Sequence, residues 1–522
     1  MSEPQPSFRA AAWIGTCFHT VVFAAYPVLI VMGANAGVVP LDAAVLARSL
    51  AASTLLVVVV LLALKPVVPD LASRAAWLSF VLIGFILYPL AGGTSMHRGL
   101  AAGYVLASMA LAALVVKPWS PRRRRSGLLN LAAALVLGVN LYSYAPAVMD
   151  AEPWRREADR LIASVADAPA TIAPEPRRNI YHVILDGFGR PDVLKERYGV
   201  DLGEFVRELE SRGFVVPARS QSNYAQTFLS LGSTLNLSYL DSVAEAMGDS
   251  GDRRVLHHLI QNNALMQIAK RAGYRVIAIG SNYAATERID AADACHCTQF
   301  GLREIESTAV NLTPLRALPL SRWTYDAHRR KVEESFRHLR ESTAEAGPTF
   351  VFAHILAPHP PFVFGHDGRA VSNAGRMFSL LDGTKYPGSH DEYAAGYREQ
   401  SRYIAREILS AIDVMLARNG PAPVIVVHGD HGPGSIEEPE SLRGEKGRER
   451  MAIFSAYYFP GDSRPSMPPH VSPVNGLRMV ANRHLGTALP ILDDVSYGST
   501  WKRPYQFEIV GGEPRQAVAG NR

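Results

Sequence analysis

Five apolar runs crowd the first 148 residues, at 10–32, 43–64, 75–92, 98–116 and 127–147, and they dictate the solvent in which this part of the chain folds. A hydrocarbon core about 30 Å thick takes about 20 apolar residues per helix, and each run is near that length. The second contains Leu-Leu-Val-Val-Val-Val-Leu-Leu-Ala-Leu, ten residues without a charge. The third is the shortest. A cleaved signal peptide is the competing reading of the first run, but four more runs follow and no small-residue cleavage site ends it. The expectation is a transmembrane domain of five helices over residues 1–148.

Basic residues in the short loops give its orientation. Arg122 to Arg125 lie between the fourth and fifth runs, Lys65 and Arg74 between the second and third, and Arg9 before the first. The loop after the first run has no basic residue, and the loop after the third has only Arg98. Every loop agrees on a cytoplasmic N-terminus, with all residues beyond the fifth run outside the cytoplasmic membrane. The arginine run is thus a topology signal and not a nucleic-acid patch, and it accounts for part of the net charge of +5.

Residues 149–178 read as a juxtamembrane segment. Trp154, Leu161, Ile162 and Val165 have near-helical spacing, either as an amphipathic helix on the membrane surface or as a simple spacer, before a Pro/Ala linker. From residue 179 to 522 the composition is that of an exported soluble domain. Its apolar, β-branched runs at 180–186, 213–217, 275–280, 349–355 and 423–429 read as strands buried on both faces. Amphipathic helices lie between them, one carrying Ile404, Ile408, Ile412 and Leu416 at i, i+4 spacing. This alternation implies a mostly parallel sheet flanked by helices. Of three cysteines, Cys17 lies in an apolar run, whereas Cys295 and Cys297 flank His296 and suit a structural or disulfide role, or less readily a metal site.

Ligands of open α/β sheets bind at the carboxyl ends of strands. Four such ends here carry chemistry. The run 180–186 closes on Asp186, followed by Gly187 and Gly189. The run 423–429 closes on Asp430 and His431. The run 349–355 offers His354 and then His359. A hydroxyl-rich stretch, 220–236, follows the run 213–217. Carboxylates and imidazole suit Zn, Mn or Mg, and a metal beside a hydroxyl makes a nucleophile of it.

Asn-Ile-Tyr-His-Val-Ile-Leu-Asp-Gly-Phe-Gly-Arg (179–190), Asn-Tyr-Ala-Gln-Thr-Phe-Leu-Ser (223–230), His-Ile-Leu-Ala-Pro-His-Pro-Pro-Phe (354–362) and Val-Ile-Val-Val-His-Gly-Asp-His-Gly (424–432) occur in that order. Together they resemble the alkaline phosphatase superfamily, and within it the membrane-anchored sulfatase-like branch of lipoteichoic acid synthases and lipid A phosphoethanolamine transferases. The resemblance covers nearly the whole chain. It implies a five-helix transmembrane bundle followed by an α/β/α sandwich of alkaline phosphatase/sulfatase type. It implies that Asp186, Thr227, Asp430 and His431 hold a divalent metal, Zn or Mn, that Thr227 is the nucleophile, and that His359 contacts the substrate phosphate, with His354 a candidate for the same region. The implied reaction moves a phosphoryl-linked head group from a membrane phospholipid to an envelope glycan or lipid through a phospho-threonine. A hydrolase using the same site, and a non-catalytic membrane scaffold or glycan-binding protein, are the alternatives.

The sequence departs from that pattern in three places. No histidine follows the Asp430–His431 pair at about a dozen residues, where the transferases carry one, leaving Arg448 or Arg450 to hold phosphate. No Cys/Ser-x-Pro-x-Arg motif surrounds Thr227, which weighs against sulfate-ester hydrolysis. The aspartate needed for a second metal is not evident.

Overall fold

The computed structural model describes residues 6–38, 43–92, 98–116, 122–149, 151–168, 176–298, 300–318, 320–373, 376, 378–434, 442, 444–461 and 467–513. They fall into two compact units, Met1–Ala151 with Leu302–Trp323, and Glu152–Gly301 with Thr324–Arg522.

The first unit is built on α1 (Pro6–Ala34), α2 (Ala43–Ala63), α3 (Leu71–Leu87), α4 (Arg98–Val116) and α5 (Arg122–Met149). Among the described residues, four stretches are long and apolar enough to cross a membrane: Gly15–Ala34, Ala43–Ala63, Gly99–Val116 and Arg125–Ala145. The expected fifth is α3, which begins earlier than the run 75–92 suggested and has 17 residues. At 1.5 Å per residue it spans about 26 Å, short of a core of about 30 Å. Where five spans were expected, the described residues thus give four helices of crossing length and one shorter apolar helix. Polar side chains knit the bundle. His19 Nδ1 lies 2.6 Å from Ser79 Oγ, joining α1 to α3, and Asn130 of α5 donates to Gly15 O at 2.7 Å.

A segment far along the chain, Leu302–Trp323, belongs to this unit. Its helix Glu304–Asn311 carries Glu306, 6% exposed, which accepts from Arg48 Nε at 2.9 Å and from Ser49 Oγ at 3.3 Å, both on α2. A second oxygen of Glu306 receives Arg48 Nη2.

The second unit holds a six-stranded sheet of β1 (Ile180–Leu185), β2 (Arg275–Ile279), β3 (Ala294–His296), β4 (Thr349–Ile355), β5 (Val424–His428) and β6 (Ser455–Tyr458). The order is β3-β2-β4-β1-β5-β6, parallel except for β6, which runs antiparallel to β5. β7 (Asp494–Gly498) and β8 (Glu508–Glu513) form a separate antiparallel pair. The four longest apolar runs are strands as expected. The run 213–217 is not: Val215 makes one isolated antiparallel bridge to Tyr457 of β6. Pro217 lacks a backbone donor, so pairing cannot continue through it.

β1, β4 and β5 are buried on both faces, which is why they read as unbroken apolar runs. One face of β1, with Tyr181, Val183 and Leu185, joins the main core, where Ile404, Ile408 and Ile412 of the helix His390–Leu416 meet it. That helix starts with a capping box in which Ser389 Oγ accepts from Glu392 N and Glu392 Oε2 accepts from Ser389 N.

The juxtamembrane helix α6 (Ala151–Ala166) belongs to this unit, and its apolar face is covered by protein. Ala158, Leu161, Ile162 and Val165 are buried. Trp154 meets the His258 ring edge-on at 6.0 Å, Asp159 pairs with His258 at 2.7 Å, and Asp167 pairs with Arg271 at 3.0 Å. Where the sequence left a membrane-surface helix or a simple spacer open, α6 docks on the helices Arg254–Gln261 and Ala264–Arg271. An amphipathic stripe demands an apolar cover but does not say which. Cys295 and Cys297 are joined in a disulfide, and Cys17 is free and buried in α1.

Candidate metal centre and nucleophile

The site forms where β1, β4 and β5 end. Backbone hydrogen bonds fix these ends against one another: Asp186 N donates to Ile355 O and His359 N to Asp186 O, each at 2.9 Å. Directly after β1 the chain turns at Gly187, with φ +72°, a left-handed conformation that other residues adopt at a cost. The turn aims Gly187 N at Asp430 Oδ1, 3.0 Å away. Ser230 Oγ donates to Asp430 O at 2.8 Å, and Ser222 Oγ donates to the same oxygen.

Asp186, Asp430 and His431, all buried, each present one ligand atom, and these atoms lie within 4.8 Å of one another. His431 Nε2 is 3.3 Å from Asp430 Oδ2 and 3.6 Å from Asp186 Oδ1. Its Nδ1 lies 2.9 Å from Gly432 O, so Nδ1 carries the proton and Nε2 keeps its lone pair. Burial, followed by the Arg450 charge, pushes the His431 pKa down and keeps the ring in its neutral, ligating form. Burial alone would raise the Asp186 pKa, but His359, His354 and His431 outweigh it and hold the carboxyl below its ordinary range. Asp186 Oδ1 and Asp430 Oδ2 are buried without a hydrogen-bond donor. Orphaned carboxylate oxygens are costly unless a cation satisfies them, and two carboxylates with one imidazole are a donor set that fits a divalent metal.

Thr227 opens the helix Thr227–Leu235, every residue of which is buried. Its Oγ1 lies 2.9 Å from His431 Nε2. The free N–H groups and the positive end of the helix dipole favour negative charge at that hydroxyl.

His359 is 9% exposed, with its ring 6.4 Å from that of His431. Nδ1 lies 2.6 Å from Pro360 O, leaving Nε2 for other partners. Burial lowers its pKa, but Asp186 and Asp382 raise it by more, so the net direction is toward the protonated ring. His354 is fully buried, and both of its nitrogens face protein atoms: Nδ1 lies 2.7 Å from Thr286 Oγ1. Nε2 is 3.2 Å from Asp186 Oδ2, close enough for ion pairing but off the hydrogen-bond direction. His354 thus stands between Thr286 and the Asp186 carboxylate. Arg450 Nη2 reaches His431 Nε2 at 3.2 Å, while Arg448 pairs with Glu196 at the surface. His428 turns to His182, Nε2 to Nε2 at 2.9 Å, and takes no part in the cluster.

Asp382 escaped the sequence reading. It accepts from Arg450 Nη1 at 2.7 Å and from Tyr393 OH at 2.7 Å. It sits in a loop instead of at a strand end, so the rule that located the other residues does not reach it. Tyr397 was also missed; its hydroxyl donates to Gly187 O at 2.8 Å and accepts from Gly189 N at 3.1 Å, bracing the turn after β1.

No family model matches this chain, and no curated protein matches it. Among solved structures it is similar to the zinc complex of the C-terminal periplasmic domain of EptC from Escherichia coli, with 15% identity and a TM-score of 0.43 over 66% of this chain and 95% of that one. It is also similar to the integral membrane lipooligosaccharide phosphoethanolamine transferase A from Neisseria meningitidis, with 15% identity and a TM-score of 0.37 over 90% of this chain and 95% of that one. A 2-O GAG sulfatase is similar at 13% identity and a TM-score of 0.38, over 60% of this chain and 72% of that one.

Proposed function

We propose that the chain is a metal-dependent enzyme of the sulfatase-like branch of the alkaline phosphatase superfamily. It moves a phosphoryl-linked head group from a membrane phospholipid to a glycan or lipid acceptor through a phospho-threonine at Thr227. In this reading α1 to α5 all span the cytoplasmic membrane with the N-terminus inside, and residues 179–522 work outside it. The observation that carries the reading is the Thr227 hydroxyl, 2.9 Å from the nitrogen of His431 that completes the acidic cluster.

Asp186, Asp430, His431 and Thr227 would hold the ion, zinc or manganese by their chemistry, and its charge would lower the pKa of the hydroxyl. Thr227 Oγ1 attacks the phosphorus in line, the bond to the lipid alcohol breaks, and the alcohol leaves with the threonine proton. His359 and Arg450 supply positive charge to the equatorial oxygens. An acceptor hydroxyl then takes the phosphoryl group, and Thr227 regains a proton. The same first half with water as acceptor would make a hydrolase.

The test is Thr227→Ala in the full-length, metal-loaded protein. Turnover of bis(p-nitrophenyl) phosphate falls by about a thousandfold or more, the loss expected when a nucleophile is removed. Undiminished turnover overturns the covalent scheme. Radiolabelled lipid then shows whether the head group ends on an acceptor or in water.

A further inference from the structure

A closed ring of contacts passes through Ala225 and Gln226, the two residues before Thr227. On one side, Arg450 donates through Nε to Ala225 O at 2.8 Å and through Nη1 to Asp382 at 2.7 Å. Lys385 follows in the same short loop. On the other side, Gln226, the neighbour of Thr227, donates through Nε2 to Ser499 O at 3.2 Å and to Thr500 O at 3.1 Å. Trp501 comes next in the chain. The ring closes where Lys385 Nζ lies 5.8 Å from the centroid of the Trp501 ring.

Arg253 supports this rim. Its guanidinium stacks 3.8 Å from the Trp501 ring centroid, and Nη2 donates to Gln226 Oε1 at 3.3 Å and to Trp501 O. Nη1 donates to Gly251 O at 3.1 Å, while Nε is buried without an acceptor. Arg253 is 3% exposed, yet among the described residues no carboxylate lies within ion-pair distance of it. The nearby acid, Asp252, is committed to Arg254. A buried cation without a counter-charge is costly, and its place beside a nucleophile suits a ligand that brings the missing negative charge. Trp501, in contrast, is 43% exposed, and Lys385, Lys502 and Arg503 are exposed as well. A flat aromatic face takes a sugar ring, and the cations beside it take an anionic substituent on that ring.

We propose that Trp501 and Lys385, backed by Arg253, form an acceptor subsite at the mouth of the Thr227 site, and that the acceptor is an anionic glycan whose sugar ring lies on Trp501. As an acceptor subsite this rests on the transfer reading above; as a binding site it stands on the rim itself. Lys385 and Trp501 touch the acceptor. Arg253 is a positioning residue that fixes the indole and supplies charge from below.

Glucuronate is the probe, because it has a ring and a charge but no phosphoryl group for the enzyme to transfer. Calorimetric titration of the full-length protein compares it with glucose, which lacks the charge, and acetate, which lacks the ring. Glucuronate binds at least about tenfold more tightly than either, and Trp501→Ala and Lys385→Gln each weaken it by about tenfold, a change of 1.4 kcal/mol. Trp501→Phe keeps most of the binding and guards against a folding defect. Equal binding by the native protein and both variants, or no preference over acetate, overturns the subsite. If glucuronate binding depends on Trp501 while Thr227→Ala turns over normally, the subsite stands and the transfer reading falls. If Thr227 is essential and glucuronate ignores Trp501 and Lys385, the reverse holds.

Discussion

Asp382→Asn keeps the shape of the side chain and removes its charge. The carboxylate receives Arg450 and the Tyr393 hydroxyl, each at 2.7 Å, and the two side chains of the ion pair are 13% and 19% exposed. Burial raises the Asp382 pKa, but Arg450 and then His359 pull it down by more, from 3.8 to about 2. That change is worth about 2.5 kcal/mol of folded-state preference for the charged form. Because the folded value is depressed, the stabilisation is present above pH 4 and disappears as pH falls toward about 2. At pH 7, urea denaturation followed by tryptophan fluorescence should show a loss of about 2–3 kcal/mol for Asp382→Asn. Arg450→Met strands the carboxylate in a buried setting and costs about 3–5 kcal/mol. The double variant loses less than the sum, with a coupling of at least about 2 kcal/mol. Additive losses, within about 0.5 kcal/mol, would refute the claim that the two side chains stabilise the unit as a pair.

Three further outcomes are expected from the geometry. His354→Phe removes the partner of Asp186 Oδ2 and should lower zinc affinity about 10–100-fold in competition with a chromophoric chelator; unchanged affinity would separate His354 from the metal site. Gly432→Ala drives a methyl group into Glu449 O and to 2.9 Å from Ala452 O, both backbone atoms, so urea denaturation should show a loss of about 1–3 kcal/mol or more. His484, 8% exposed and stacked on Phe459, has its pKa pushed down by burial, and then by Arg483, from 6.5 to about 4. The unfolded chain binds the proton first, so this residue's share of stability falls as pH drops from 6.5 to about 4, by at most about 3 kcal/mol. His484→Phe should flatten that part of a pH–stability curve, and an unaltered curve would contradict the assignment.

Asp186, Asp430 and His431 were legible because β1 and β5 are buried on both faces. Such strands read as β-branched runs, and a polar group at their carboxyl end stands out against them. Where that contrast fails, so does the reading. β6 is Ser-Ala-Tyr-Tyr, too short and too mixed to signal a strand, and the run 213–217 looked like a strand yet makes a single bridge to it. Asp382 has no periodic context at all, and its partner Arg450 lies 68 residues away. The stripe of α6 was visible, but a lipid surface and a protein surface ask for the same residues, so only the structure could say which covers it.

The grouping of Leu302–Trp323 with the membrane helices has a practical side. The chain passes between the two units at 151/152, 301/302 and 323/324, so no single cut frees the second unit from the first. A soluble fragment begun after α5 would carry residues 302–323 along without Arg48 and Ser49, stranding the Glu306 carboxylate that they bind. Such a fragment would also display Leu302, Leu318 and Trp323, already 38%, 49% and 65% exposed, on a segment that has lost α1 and α4, the helices it packs against. Aggregation of that fragment would report a missing partner segment, and bridging 301 to 324 with a short polar linker is the direct remedy.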